Sequence, residues 1–247
     1  MGLEDVFPDF ATLQNQGFAG VSCNKPTIMI AITPRTGSTL LCTALHQAGH
    51  SNEPNEIFNP NGPARQEAER RGTGSFAAYM TSFARDPDPA FIFKIGCFNA
   101  RPLANSLTRL FPQLRVVYLD RRNIAAQAVS QFRAELSGTW HARPGQPHRA
   151  FDWNGKFDLA HICAIIRIME QEKRDWEAWF VNNNITPLRL DYRQLETSLG
   201  EAVRQIAGTM NLPLRPEAVA GGGVLKLADE LSADWTERVQ KHLYNLS

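Results

Sequence analysis

The stretch from Thr27 to Leu41 constrains this chain more than any other part of it. Thr27–Thr33 is an apolar, β-branched run that reads as a buried strand, Pro34-Arg35-Thr36-Gly37 as a tight polar turn, and Ser38-Thr39-Leu40-Leu41 as the start of an apolar helix. A helix that begins directly after a strand leaves unpaired backbone N–H groups at its positive end. Gly37 permits close approach of the backbone, Ser38 and Thr39 add hydroxyl donors, and Arg35 adds a fixed charge. A bare Ser-Thr pair would merely cap a helix. The preceding strand and the Arg within the turn move the reading to an anion site. The pattern G-x-x-x-x-G-K-[ST] is absent, and with it the Lys that reaches a transferred phosphate, which disfavours an ordinary ATP- or GTP-hydrolysing protein.

Three more runs read as buried strands: Phe91–Ile95, Leu114–Leu119 and Ile185–Leu190. Helical patterns run from Ser38 to about Ala48, Ile124 to Leu136 and Leu159 to Asn182, with two more around Gln194–Asn211 and Ala228–Asn245. In the longest, Leu159, Ile162, Ile166, Met169, Trp176 and Trp179 recur at helical spacing, which puts both tryptophans in a core. Asn59–Asp88 and Gly138–Phe157, rich in Pro, Gly and Arg, read as loops over one edge. This alternation predicts an α/β chain: a three-layer P-loop-like fold with a central, mainly parallel sheet flanked by helices, in a single domain spanning 1–247.

The formal charge is +1, so no global field favours nucleic acid, and anion binding must come from local clusters. Cys23, Cys42, Cys97 and Cys163 form no C-x-x-C pair, which fits reduced thiols rather than a disulfide framework or a zinc site. No His/Asp/Glu cluster has metal spacing, so no metal is expected. The first twenty-one residues lack a signal peptide's apolar core, and no run nears the roughly 18 apolar residues that span a bilayer. These features predict a soluble, cytoplasmic protein.

A second anion site follows Leu114–Leu119. In Asp120-Arg121-Arg122-Asn123, Arg122 stands just before a helix and Ser130 eight positions further on, two turns in. One Arg and one hydroxyl could grip a single phosphate monoester. Alone, the two arginines would read as a solvated charge pair. Both candidates, however, lie at the C-terminal ends of parallel strands, where open α/β sheets bind ligands. A ligand with one phosphate cluster and one separated phosphate fits the pair, as 3′-phosphoadenosine 5′-phosphosulfate (PAPS) does.

The residues Arg35-Thr36-Gly37-Ser38-Thr39 resemble the 5′-phosphosulfate loop of PAPS-dependent sulfotransferases, and Arg122 with Ser130 resembles their 3′-phosphate motif. The nearer likeness is to bacterial carbohydrate sulfotransferases of the trehalose 2-sulfotransferase family. It takes in Glu53-Pro54-Asn55-Glu56, Gln127–Ala134, Thr139-Trp140, Trp176–Phe180, Asp191-Tyr192 and Asp234-Trp235, and leaves out residues 1–25. Phe93–Asn99 resembles a family stretch that contains a Lys, with the spacing shifted, which makes Lys94 a candidate contact to the leaving phosphate or the acceptor.

The resemblance implies that PAPS is the donor and that no metal is needed. It implies a carbohydrate or glycolipid hydroxyl as acceptor, and it allows a homodimer. It makes Glu56 the general base, with Glu53 orienting the sugar, and leaves His50 as the alternative base. Trp140 and His141 could cover the nucleotide or the sugar. A small-molecule phosphotransferase and a non-catalytic nucleotide-binding relative are the competing classes.

Overall fold

In a computed structural model of the chain, which describes residues 1–141, 150–219 and 228–245, the sheet is built from four strands. They are β1 (Thr27–Ile32), β2 (Phe91–Gly96), β3 (Leu114–Asp120) and β4 (Leu188–Asp191), in the order β2-β1-β3-β4. All three pairings are parallel; Thr27 aligns with Phe91 on one side and with Leu114 on the other, and Val117 aligns with Leu188. β4 begins three residues later than the apolar run suggests, because Pro187 has no N–H to give a ladder.

Alternate residues of β1 point to opposite faces. Met29 and Ala31 join Phe93, Ile95, Val116 and Tyr118 on one face, while Ile28, Ile30 and Ile32 join Val117 and Leu119 on the other. Both faces are apolar and both are covered, as a parallel sheet requires.

Eleven α-helices occur among the described residues. In chain order they are α1 (Phe10–Asn15), α2 (Ser38–Gln47), α3 (Pro63–Arg71), α4 (Phe76–Ser82), α5 (Cys97–Ala100) and α6 (Leu107–Leu110). After β3 come α7 (Ile124–Ser137), α8 (Leu159–Asn182), α9 (Tyr192–Thr197), α10 (Leu199–Gly208) and α11 (Glu230–Tyr244). The Met29 face is covered by α1, α3, α4 and the C-terminal half of α8, where Trp176 and Trp179 are core residues. The Ile28 face is covered by α2, α9 and α10. A third apolar cluster joins α7 and α11 to the N-terminal half of α8 through Phe132, Ile166 and Trp235. No helix among the described residues is long and apolar enough to cross a membrane.

Two expectations need correction. The stretch Asn59–Asp88 contains α3 and α4. Only Ala64 and Ala68 of α3 are buried, so its apolar period is too weak to see; Pro63 at its first position and the Arg71–Asp86 ion pair at 2.8 Å help to fix it. The expected helix over Gln194–Asn211 is two helices meeting at Ser198. Residues 1–25, outside the resemblance, nevertheless enter the core. Phe7 and Phe10 pack edge-on against Phe76 at 5.5 and 5.0 Å, and Asp9 Oδ1 accepts from Phe76 N at 2.6 Å, capping α4. Of the segment Gly138–Phe157, residues 142–149 lie outside the described residues.

One buried acid is unusual. Glu172 of α8 is 8% exposed, and its Oε2 has no hydrogen-bond partner among the described residues. Burial pushes its carboxyl from 4.5 up to about 7, with Arg101 opposing and Asp175 adding to the rise. A carboxyl that holds its proton more tightly when folded loses stability as pH rises through about 7. By the free energy of that proton, the full loss approaches roughly 3 kcal/mol. Glu172→Gln should therefore raise Tm by several degrees at neutral and alkaline pH, by less between pH 4.5 and about 7, and change it little below pH 4.5, as read by thermal melts across the pH range.

Candidate functional site

The strand order reverses beside β1: the chain leaves β1 towards β2 and leaves β3 towards β4. The crevice between the C-terminal ends of β1 and β3 is therefore the ligand position of such a sheet. The turn after β1 and the segment Arg121–Asn123 after β3 both open onto it. They share a cavity of about 1480 Å³ whose wall includes Arg35, Ser38, Thr39, Arg122, Ser130 and Trp140. That volume exceeds a typical small-ligand pocket of about 300–1,000 Å³ and leaves room for two reactants.

The turn is held from below. Thr36 Oγ1 donates to Thr33 O at 3.0 Å, and Gln127 Nε2 donates to Thr33 Oγ1 at 2.8 Å and to Pro34 O at 2.7 Å. Thr36 therefore fixes the turn with its side chain and can offer a ligand only its backbone. Gly37 is the N-cap of α2 at φ 83°, and no side chain caps that helix. A Cβ on Gly37 would stand 2.7 Å from Cδ2 of Tyr192, so the position excludes side chains on two counts. Gly37→Ala should pay about 1–2 kcal/mol for the left-handed backbone alone. It should also displace Tyr192 and lower Tm, which thermal melting would measure.

Arg35 also has a positive φ, 65°, which sends its side chain across to α7. Its Nε donates to Ser130 Oγ at 2.9 Å, and its guanidinium also donates to Trp140 O. Arg121 donates to Arg35 O at 3.1 Å and lies over the Tyr192 ring at 4.3 Å. Burial, and next the like charge of Arg121, lower the Arg35 guanidinium below its ordinary range; burial lowers Arg121 as well. Two desolvated cations side by side make a site that favours an anion. Arg122, in contrast, is 89% exposed, with Nε 3.6 Å from Asp191 Oδ2. The structure thus brings Ser130 to Arg35, while Arg122 stands beside Asp191 in the wall of the same cavity.

The other half of the site forms at the end of β2. Lys94 is buried, and its Nζ lies 3.3 Å from Thr39 Oγ1 and 3.6 Å from Glu56 Oε1. Asn59 Nδ2 donates to Glu56 Oε2 at 3.1 Å, and Asn55 O accepts from Lys94 N at 3.1 Å, which pins this loop along the edge strand. Thr39 lies 3.3 Å from His141 Nδ1 and is itself in the cavity wall, so it links the carboxylate–ammonium pair to the anion turn. Glu53 accepts from Thr43 Oγ1 at 2.9 Å, which ties it to α2.

His50 is elsewhere. Its Nδ1 donates to Asn52 O at 2.7 Å, and its Nε2 lies 3.4 Å from Ala90 O, before the start of β2. Lys94 is four residues along that strand, about 13 Å away at the usual rise. His50 packs at the far edge and cannot serve the site. The residues missed in the sequence are Arg121, Gln127 and Asn59. Gln127 carried a signal, since its residue type and its helical position just past an arginine-rich turn suit a side chain that folds back on a neighbouring loop.

Fold and site together define an α/β protein whose parallel sheet presents a cationic turn beside a carboxylate. The chain belongs to the Stf0 sulphotransferase family, whose model matches residues 27–92 and 100–242. Lys94 falls in the gap between the matched segments. A trehalose 2-sulfotransferase of Mycolicibacterium smegmatis is 24% identical, over 90% of this chain and 97% of that one. One of Mycobacterium tuberculosis is also 24% identical, over 87% of this chain and 94% of that protein. Among solved structures, a sulfotransferase from Mycobacterium avium superposes with a TM-score of 0.45 at 12% identity, covering 94% of this chain and 72% of that one.

Proposed function

We propose that this sulfotransferase moves the sulfuryl group of PAPS to a hydroxyl of a carbohydrate or glycolipid, with Glu56 as the general base. The observation that carries the reading is the arrangement around Thr39. On one side stands a turn whose uncapped helix end and desolvated Arg35 favour a polyanion; on the other stands the Glu56–Lys94 pair. The trehalose 2-sulfotransferases named above support a sugar acceptor.

In this reading the 5′-phosphosulfate lies over the backbone N–H groups after Gly37, with Ser38 and Thr39 donating to its oxygens. Arg35, Ser130 and Arg122 hold the 3′-phosphate. The acceptor oxygen attacks sulfur in line, the new O–S bond forms as the S–O bond to the 5′-phosphate breaks, and Glu56 takes the hydroxyl proton. Lys94 offsets charge on the bridging and sulfuryl oxygens, and 3′,5′-adenosine bisphosphate leaves. Such a mechanism works by positioning and electrostatics. Glu53, held by Thr43, orients the sugar, and Trp140 closes over it.

The donor assignment has its own test. Arg122→Ala should weaken 3′,5′-adenosine bisphosphate by about tenfold, as expected for a lost charge-assisted bond, and leave 5′-AMP little changed. Equal weakening of both nucleotides in titration calorimetry would remove Arg122 from the 3′-phosphate.

A further inference from the structure

The strands β3 and β4 end on two carboxylates, which is unfavourable beside an anion site. Asp120 and Asp191 lie side by side in the parallel register, and the residues after them, Arg121, Arg122 and Tyr192, are in the cavity wall. Asp191 is met from the cavity by Arg122, with 3.6 Å between Nε and Oδ2. Asp120 shares the Met29 face of the sheet with Tyr118, two residues before it, and there it meets α8. Lys173 Nζ stands 2.6 Å from Asp120 Oδ1 and donates to Arg121 O at 3.0 Å. A second cation near Asp120, Arg189, is taken by Glu177 through bonds of 2.6 and 2.7 Å. Arg121 passes the contact on: its guanidinium donates to Arg35 O at 3.1 Å and lies over the Tyr192 ring at 4.3 Å, and Arg35 reaches Ser130.

We propose that Lys173 is a positioning residue for the donor: it cancels the charge of Asp120 behind the 3′-phosphate site and fixes the Arg121 backbone, so that Arg35 and Arg122 meet that phosphate from a held, cationic frame. The inference rests on the donor reading above. Lys173 is outside the cavity wall and touches neither reactant, so it acts through Arg121. Its residue type suits the task, since an ammonium carries three donors and can bridge a carboxylate and a carbonyl at once. Without it, an unpaired carboxylate would stand one residue from Arg121 and two from Arg122. Lys173 and Asp120 are 21% and 34% exposed, so water screens that charge only in part, and it would repel the phosphate and draw on the arginines meant for it.

The test is titration calorimetry on the full chain with 3′,5′-adenosine bisphosphate and with 5′-AMP, which lacks the 3′-phosphate. Lys173→Met keeps the apolar stem and removes the charge. It should weaken 3′,5′-adenosine bisphosphate by about tenfold, the scale of one lost charge-assisted bond, and leave 5′-AMP within about twofold. KM for PAPS should rise with it, while KM for the acceptor stays unchanged. Lys173→Gln removes the same charge with a polar side chain and carries the same expectation. Lys173→Arg keeps the charge and can bridge the same two oxygens, so it should restore most of the affinity. A purely structural role would lower Tm without changing the ratio of the two nucleotides. An unchanged ratio in Lys173→Met, or a Lys173→Arg as weak as Lys173→Met, would overturn the positioning role and leave the donor reading intact. A wild type that binds 5′-AMP as tightly as 3′,5′-adenosine bisphosphate would overturn the donor reading and this inference with it.

Discussion

Glu56→Gln should lower kcat for sulfuryl transfer by about 10²–10⁴-fold, the range a positioned general base supplies, with binding of 3′,5′-adenosine bisphosphate retained. The substitution keeps the shape and the bond from Asn59 Nδ2, which lies 3.1 Å from Oε2. It removes the proton acceptor and the ionic partner of Lys94, 3.6 Å away. A loss confined to kcat assigns Glu56 to the chemical step. A matched rise in acceptor KM with kcat unchanged would assign it to holding the sugar. His50 provides the control: it is committed to Asn52 O and Ala90 O at the far end of β2, so a rate loss at Glu56 is not replaced from there.

Lys94→Met should cost about 10²–10³-fold in kcat, the scale of one preorganised donor to a developing oxyanion. Lys94 is almost fully buried towards the end of an edge strand, with Thr39 Oγ1 and Glu56 Oε1 as its polar side-chain partners. Met keeps the length and apolar stem of the side chain, so packing on the Ile28 face of the sheet survives. The substitution also leaves Glu56 without its ion-pair partner 3.6 Å away. Unchanged kcat in Lys94→Met would remove Lys94 from the chemical step.

The sheet was legible because its strands are buried on both faces. Thr27–Thr33, Phe91–Ile95 and Leu114–Leu119 are mostly apolar runs, broken only by Lys94 and Arg115 among charged residues, as strands of a doubly covered parallel sheet are, and each matches an observed strand to within a residue or two. The helix α3 was not legible, since only Ala64 and Ala68 of it are buried and the Arg71–Asp86 pair helps to hold it. The helix α4 does carry Phe76, Tyr79 and Met80, with Phe83 just beyond, at helical spacing, a signal masked by the Pro-, Gly- and Arg-rich sequence around it. The first twenty-five residues carry phenylalanines at positions 7, 10 and 18, yet nothing in them names the distant Phe76 against which they pack.

Within the site, the turn Pro34–Thr39 could be read because a strand, a glycine and a helix start are local signals. The partnership of Arg35 with Ser130 could not, because it depends on a positive φ at Arg35 that no residue type other than glycine announces. Glu56 and Lys94 stand thirty-eight positions apart and meet only because the loop before α3 runs along β2, held by the bond from Lys94 N to Asn55 O.

The most direct measurement follows ³⁵S from labelled PAPS, with trehalose, other disaccharides and glycolipids offered as acceptors to the wild type and to Glu56→Gln. The account predicts a labelled sugar ester and one 3′,5′-adenosine bisphosphate per ester from the wild type, and almost none from the variant. No labelled product from any carbohydrate, together with no binding of 3′,5′-adenosine bisphosphate, would contradict it.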